Sequence, residues 1–354
     1  MAGATNPLVA TVIPILNEQD SIATCLESIV NQTISVDQHI IVVLDGGSTD
    51  QSIQIIEQFI EDHGEGPEII FAKNDGKYVA EARNLAMTLV PDSVKYLLEI
   101  IGHCTVKENH IATLLEEMKR LESINEQPIG ALGVKVSSRL GQLELVESWV
   151  EGALLSPLGS GSGQFDNFKG TVKTSIPAFC LHSREAIEQI GGWDTEFITS
   201  QDSDLSMRMI DAGFLLFKTD LVEVNMTKRK TLQSWAKMGF RYGFWRTKTV
   251  KKHPKRIRLR EFLPWFGVIL TVILLVKSHA FWFIPATLYG AVLLLESIRL
   301  VTLKRRLSLL LGLPICIFLL HTMFSLGLVY GIIGKPSSFN DRESKDGNLS
   351  LIHI

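Results

Sequence analysis

The sequence predicts an α/β domain with a mostly parallel central sheet, followed by C-terminal transmembrane helices. Two observations support this fold class. Short apolar runs alternate with segments of helical periodicity through the first hundred residues, and the chain from residue 261 to 335 is almost continuously apolar. A chain of 354 residues has room for one domain of ordinary size and a smaller region beside it.

Four buried strands and three helices are expected in the first hundred residues. The strands are expected at 8–15, 39–44, 68–72 and 96–101, and the helices at 22–29, 52–60 and 78–89. Strands that alternate with helices form a parallel sheet covered on both faces, and ligands of such sheets bind at the carboxyl ends of the strands. The polar loops that follow the first three strands are therefore expected to lie together.

The apolar C-terminal region divides into three runs. Those at 262–276 and 280–295 fall short of the roughly 20 residues that a membrane span needs, so they predict a hairpin or an interfacial pair, whereas 308–333 is long enough alone. The expected organisation is an α/β domain at 1–226, basic interfacial helices at 227–261, a membrane region at 262–334 (hairpin 262–300 and span 308–333) and a polar tail at 335–354.

A basic segment precedes the membrane region. Thirteen lysines and arginines and no acid lie between Val224 and Glu261. Positive charge beside a span favours the cytosolic face, and it attracts anionic lipid head groups. Nucleic acid is disfavoured as a partner because the formal net charge of the chain is −3. The start of the chain has no signal-peptide pattern, and the four cysteines are scattered along the sequence. Both features favour a cytosolic domain at the cell membrane.

Two carboxylates, Asp202 and Asp204, stand where a helix is expected to begin. They are a candidate reactive pair. The competing interpretation is that Asp202 caps the helix, because an acid there satisfies free backbone amides and favours the helix dipole. The local pattern alone favours the cap.

The loops after the first strands offer what a nucleotide needs. Asp45 supplies an acceptor, Gly46 and Gly47 allow close approach of the backbone, and Lys77 and Arg83 supply cations. Each has an ordinary alternative, because Asp45 can begin a turn and Arg83 can be a solvated helix residue.

Several motifs together resemble family 2 glycosyltransferases with the GT-A fold. They are Val9 to Glu18, the AspGlyGlySerThrAsp loop from Asp45, AlaArgAsn at Ala82 to Asn84, and the Gln201 to Arg208 segment. The GlyHisCys loop from Gly102 and the segment Met238 to Pro254 are most similar to the ExoA type, the membrane-anchored enzymes of succinoglycan and other exopolysaccharide assembly.

The resemblance implies inverting transfer of a hexose from a nucleotide diphosphate sugar to a polyprenyl-linked saccharide at the cytosolic membrane face. Asp202 would be the general base. The implied donor-binding residues are Pro14, Asn17, Glu18, Asp45, Lys77 and Arg83. The implied acceptor-side residues are Gln201, Asp204, Arg241, Trp245 and Arg246, for which an interfacial helix with an aromatic anchor is the alternative.

One departure from the family bears on metal binding. Relatives have a metal-binding Asp before the GlyHis pair, where this chain has Ile101. A divalent metal, magnesium or manganese, is expected from the resemblance, with His103 or Glu99 as a replacement ligand. The alternatives are that His103 only packs or hydrogen-bonds in its loop, and that Lys77 and Arg83 offset the charge of the diphosphate. A membrane-docked binding or scaffold protein that has lost turnover is the competing function.

Overall fold

The computed structural model describes residues 6–64, 66–159, 165, 168–278 and 280–334. The predicted polar tail at 335–354 lies outside the described residues. The chain forms two compact units. Among the described residues, the first contains the chain up to Arg139 together with Phe168–Thr227, and the second contains the chain from Leu140 to the break near residue 160, residue 165, and the chain from Lys228 onward.

The first unit is built on one sheet. Its strands are β1 (Val9–Ile15), β2 (His39–Asp45), β3 (Glu68–Lys73), β4 (Tyr96–Glu99), β5 (Cys104–Val106), β6 (Ile129–Ser138), β7 (Val172–Lys173), β8 (Leu181–Ser183) and β9 (Leu215–Met226). The order is β3-β2-β1-β4-β8-β6-β9-β5, and β7 pairs with β9. The four expected strands are present, and they pair in parallel.

The rest of the sheet is mixed. Strand β8 is antiparallel to both β4 and β6, β6 and β9 are parallel, and β5 and β7 are antiparallel to β9. Strand β4 is shorter than expected, since it stops at Glu99 instead of residue 101.

The helices, in chain order, are α1 (Ile22–Val30), α2 (Ser52–Asp62), α3 (Val79–Leu89), α4 (His110–Ile124), α5 (Leu145–Leu155), α6 (Arg184–Gln189), α7 (Gln201–Asp211), α8 (Leu232–Lys252), α9 (Leu263–Val276), α10 (Ile284–Lys304) and α11 (Leu309–Ile333). Helices α1 to α3 begin within one residue of their expected positions. Each is amphipathic; α1, for example, buries Ile22, Cys25, Leu26 and Ile29. Helices α5 and α8 to α11 form the second unit.

The boundaries of the second unit differ from the expected ones. Residues 140–155, which the sequence placed in the α/β domain, group instead with the C-terminal helices. The physical reason is an apolar contact, because Val150 and Ala153 of α5 pack in one buried cluster with Leu309 and Leu313 of α11.

Two helices are long and apolar enough to cross a membrane, α10 and α11. Helix α10 is longer than the apolar run at 280–295 predicted, since it continues past that run through Arg299 to Lys304. Helix α9 is shorter, with 14 residues, and none of its side chains is buried.

Helices α8 and α11 approach each other closely through glycines. A Cβ atom at Gly243 of α8 would lie 1.9 Å from the carbonyl oxygen of Phe324, and one at Gly327 of α11 would lie 2.0 Å from that of Phe240. Each helix repeats glycine four residues apart, at Gly239 and Gly243 and at Gly327 and Gly331. Such spacing lets two backbones come into contact.

We expect Gly243→Ala to destabilise the second unit, because the added methyl must push a backbone away. Overpacking of this kind costs about 1–3 kcal/mol. The matched control is Gly290→Ala in α10, where the described structure leaves open space around the added atom and the better helix former should be neutral or stabilising. Thermal unfolding in detergent should show a lower Tm for Gly243→Ala alone; equal Tm values for the two variants would contradict the close contact.

Candidate functional site

The loops after β1 and β2 are joined by hydrogen bonds. The backbone amide of Asn17 donates to Ser48 Oγ at 2.8 Å, and that of Thr49 donates to Asn17 Oδ1 at 2.7 Å. The backbone amide of Glu18 donates to Ser52 Oγ at 2.7 Å. The polar loops therefore meet at the carboxyl ends of the strands, as the sequence predicted.

Asp45 ends β2 and organises the turn that follows it. Its Oδ2 accepts the backbone amide of Gly47 at 3.0 Å, and its Oδ1 accepts that of Ser48 at 3.1 Å. Gly46 lies against the loop after β3, where a Cβ atom would come within 2.4 Å of the Lys77 carbonyl oxygen. Only glycine permits this approach without a shift of the backbone.

The remaining expected donor residues lie at different depths. Pro14 is buried inside β1 opposite Leu44. Lys77 is half-buried in the turn before α3, with a φ of +69°. Glu18 is 3% exposed, and its Oε1 lies 2.9 Å from His103 Nδ1. Asn17 and Lys77 are thus half-buried where the loops meet, whereas Pro14, Glu18 and Asp45 are buried.

Asp202 lies in the first turn of α7. The cap position before this helix is Ser200, which has a φ of +68°. The Asp202 carboxylate accepts a hydrogen bond from Arg83 Nη1 of α3. About a third of the Asp202 side chain, 34%, is exposed, compared with 4% for Arg83. A buried cation therefore holds an acid that remains accessible to a ligand.

The same guanidinium group contacts a second acid. Arg83 Nη1 lies 3.1 Å from Glu99 Oε1, and His182 Nε2 lies 3.0 Å from the same oxygen. Burial favours a raised pKa for Glu99, but the charges of Arg83 and His182 outweigh it and lower the pKa. Glu99 is therefore the ionised counterion that accompanies Arg83 in the interior.

The same surroundings act in the opposite direction on Asp202. Loss of solvation raises the pKa of its carboxyl group, the negative charge of Glu99 adds to the rise, and Arg83 opposes it. A carboxylate whose pKa is raised is a stronger base once it is ionised.

The two other acceptor-side candidates on α7 are buried. Asp204 is fully buried, and its Oδ2 accepts from Arg208 Nε at 2.8 Å. Gln201 is 2% exposed. Of the two acids that the sequence singled out, Asp202 is the one that reaches solvent.

The candidate metal ligands do not form an open site. His103 is buried against Glu18, Glu99 is buried against Arg83 and His182, and Ile101 is apolar and 2% exposed. Glu99, Cys180 and His182 do place three ligand atoms within 4.8 Å of one another. Burial, followed by the charge of Glu99, raises the pKa of the Cys180 thiol well above its ordinary value. A neutral thiol beside a guanidinium group is poorly suited to a hard cation.

The acceptor-side candidates on α8 belong to the second compact unit. The Arg246 guanidinium group donates two hydrogen bonds to Glu261, each of 2.7 Å. Trp245 is 1% exposed and Arg241 is 3% exposed. Trp245 is therefore buried and not exposed as an aromatic anchor, and Arg246 forms an ion pair within the unit.

The sequence did not predict the role of His182 or the contact of Arg83 with both Glu99 and Asp202. One feature of the sequence indicates a partner for Glu99, because it is a lone acid in an otherwise apolar strand and such an acid requires a buried partner. The partner lies 16 residues earlier, on another element, so periodicity alone does not identify it.

The comparisons with known proteins agree on one family. The sequence model described as "Glycosyl transferase family 2" matches residues 11–191. A Methanococcus voltae protein named "Dolichyl N-acetyl-alpha-D-glucosaminyl phosphate 3-beta-D-2,3-diacetamido-2,3-dideoxy-beta-D-glucuronosyltransferase" is 24% identical over 333 residues, which are 94% of this chain and 99% of that protein. "Succinoglycan biosynthesis protein ExoA" of Rhizobium meliloti (strain 1021) is 26% identical over 268 residues, 74% of this chain and 78% of that protein.

A solved structure shows the same fold. It is the mannosyltransferase PcManGT from Pyrobaculum calidifontis in complex with GDP-Man and Mn2+, with a TM-score of 0.57 and 16% identity, covering 92% of this chain and 87% of that one. The GT-A fold predicted from the motifs is confirmed.

We expect Arg83→Gln to destabilise the first unit strongly, because it leaves the buried Glu99 carboxylate without its cation. Removal of one partner of a buried ion pair costs about 3–5 kcal/mol. The double variant Arg83→Gln, Glu99→Gln should recover part of this loss. A matched control is Arg120→Gln, since Arg120 forms a half-exposed pair with Glu117 and such pairs contribute at most about 1 kcal/mol. Denaturant unfolding at neutral pH measures the free energy of unfolding of the three variants. Equal losses of this free energy in Arg83→Gln and Arg120→Gln would contradict the buried pair.

The lowered pKa of Glu99 gives the same pair a pH dependence. Stability from an acid with a lowered pKa is present above the ordinary value of 4.5 and is lost as the pH falls through the lower folded value. Below pH 4.5 the wild-type protein should therefore lose stability more steeply than the double variant. If the free energy of unfolding falls equally in the two proteins from pH 6 to pH 3, the lowered pKa of Glu99 is contradicted.

Proposed function

This chain belongs to glycosyl transferase family 2, and we propose that it transfers a hexose from a nucleotide diphosphate sugar to a polyprenyl-linked saccharide with inversion. The observation that carries the proposal is the Asp202 carboxylate, held by the buried Arg83 and partly exposed at the start of α7. The M. voltae relative, whose name includes a dolichyl-linked sugar phosphate, supports a lipid-linked acceptor.

In the proposed reaction Asp202 acts as general base. Its carboxylate removes the proton from an acceptor hydroxyl group while the oxygen attacks the anomeric carbon of the donor. The new C–O bond forms as the bond to the nucleotide diphosphate breaks on the opposite face of the sugar, which inverts the configuration. Arg83 fixes the carboxylate, and Glu99 balances the charge of Arg83 in the interior.

The donor is proposed to bind at the loops after β1, β2 and β3. The Asp45 turn holds Gly47, and open space in the described structure beside this glycine lets the nucleotide approach the backbone. Lys77 provides a cation in the same group of loops. The positions of His103 and Glu99 do not fit the usual metal-binding role of this family's acid, so no step of the proposed reaction passes through a metal held by them.

The enzyme is proposed to work at the cytosolic face of the cell membrane. Helices α10 and α11 are long and apolar enough for membrane association. The thirteen cations between Val224 and Glu261 favour a surface with anionic lipids.

We expect Asp202→Asn to abolish sugar transfer, with at least a 100-fold loss of kcat, while donor binding changes little. The amide cannot accept the proton, but it retains the shape of the side chain. The matched control is Asp211→Asn, an exposed acid at the other end of α7, which should keep full activity. Transfer kinetics and donor titration by calorimetry measure both quantities, and unchanged turnover in Asp202→Asn would refute the general-base role.

Arg246 and Glu261 provide a test of the acceptor side. Because the two side chains are paired, we expect Arg246→Gln and Glu261→Gln to lower Tm and activity by the same amount, and the double variant to be no worse than either single variant. Acceptor and donor kinetics should be affected alike. A rise in the acceptor KM in Arg246→Gln that is missing in Glu261→Gln would instead show that Arg246 contacts the lipid-linked substrate.

A further inference from the structure

Helix α11 is apolar on all sides by sequence but has two different faces in the structure. One face is buried along the whole helix, through Gly312, Leu313, Cys316, Ile317, Leu320, Gly327, Leu328 and Gly331. The opposite face is exposed, through Leu311, Ile315, Phe318, Leu326, Val329 and Ile333. Together with the exposed polar residue Thr322, which lies between Phe318 and Leu326, these residues recur every three or four positions. The exposed row therefore runs about 33 Å from Leu311 to Ile333 and is interrupted by one polar residue.

The first half of the buried face lies against residues 149–158. A Cβ atom at Gly312 would overlap the Trp149 ring, at 2.1 Å from Cδ2. His321 Nε2 lies 2.8 Å from the carbonyl oxygen of Leu158. Helix α5 also carries Glu147 and Glu151, so this side of α11 lies beside a helix with ionisable groups.

From Cys316 onward the buried face lies against α8, and the two helices run in the same direction. Trp235 Nε1 donates to the Cys316 carbonyl at 2.8 Å, Thr247 Oγ1 to that of Leu328 at 2.8 Å, and Lys248 Nζ to that of Gly334 at 2.8 Å. Over this length α8 carries Lys237, Arg241, Arg246 and Lys248.

These contacts conflict with a membrane-crossing orientation of α11. A helix that crosses the bilayer carries its tightly packed neighbours to the same depth, and α5 and α8 together would place acids and bases along the hydrocarbon core. Ionisable side chains are disfavoured at that depth. An orientation along the membrane surface avoids this cost, because lipid then contacts only the exposed apolar row.

We propose that α11 lies flat in the interface of an anionic bilayer instead of crossing it, with the row from Leu311 to Ile333 toward the acyl chains and α5 and α8 on the water side. Exposed cations near the end of α8, Lys251, Lys252 and Lys255, match the phosphate groups of such a surface. This inference concerns the membrane contact and does not depend on the transfer reaction.

Site-directed spin labelling of the full chain tests the orientation. Single cysteines at Leu311→Cys, Phe318→Cys and Val329→Cys sample the exposed row over 18 residues, or about 27 Å of helix. The four native cysteines are buried, so the label attaches at the introduced sites. The protein is reconstituted in vesicles of phosphatidylcholine and phosphatidylglycerol, with spin-labelled lipids to calibrate depth, and accessibility to oxygen and to a nickel chelate is measured. Lys237→Cys on α8 is the matched control.

The proposal predicts one common shallow depth at the three α11 sites and a water-exposed label at residue 237. A crossing helix would give a graded profile, deepest near Phe318 and shallow at both ends, and that profile would overturn the proposal. Nickel-accessible labels at all three sites, without contact with oxygen-rich acyl chains, would also overturn it, because the row would then not face lipid.

Discussion

The candidate site depends on one buried cation. Arg83 is almost completely enclosed, and its guanidinium group contacts Glu99 in the interior and Asp202 near the surface. A lone buried guanidinium group is strongly disfavoured, so the two carboxylates make its position tenable. The Arg83 guanidinium group also orients Asp202, which lies inside the first turn of α7 and not at its cap position. The strand that carries Glu99, the helix that carries Arg83 and the start of α7 are thereby held in one arrangement.

The sheet explains why these three elements meet. Parallel pairing of β1 to β4 places the polar loops at one edge, and the antiparallel strand β8 brings His182 next to Glu99. Loops at this edge are tied to each other through side chains such as Asn17 and Ser48. The site is therefore preorganised by hydrogen bonds that need no ligand.

Much of this architecture is encoded locally and was predictable. The first four strands and three helices have clear periodicity, and the loop motifs and the acids of α7 indicated the family. The same acids include Asp202, which is proposed as the general base. The second half of the sheet was not predictable in the same way, because short strands such as β7 and β8 have only two or three residues. Residues 140–155 were misplaced for a related reason, since their partner α11 lies more than 150 residues later.

The role of Arg83 illustrates the same limit at the level of a side chain. The sequence indicated a cation for the donor phosphates, whereas the structure shows a guanidinium group already bound by two acids. Likewise, Arg246 is paired with Glu261. A sequence shows that a cation is present, but only the packing shows which anion it meets. The same limit applies to the candidate metal ligands. The sequence shows Ile101 at the usual Asp position, but it does not show that His103 and Glu99 are buried.

The most direct test of the account is turnover of a panel of nucleotide diphosphate sugars by the purified, detergent-solubilised protein with manganese, with magnesium and with chelator. We expect release of the nucleotide diphosphate from at least one hexose donor, because the GT-A fold is present and the loops proposed to bind the donor are joined by hydrogen bonds. Turnover that persists in chelator would agree with the enclosed positions of His103 and Glu99. If no donor is turned over and no donor binds, the transfer proposal is contradicted, and a membrane-docked scaffold protein is favoured.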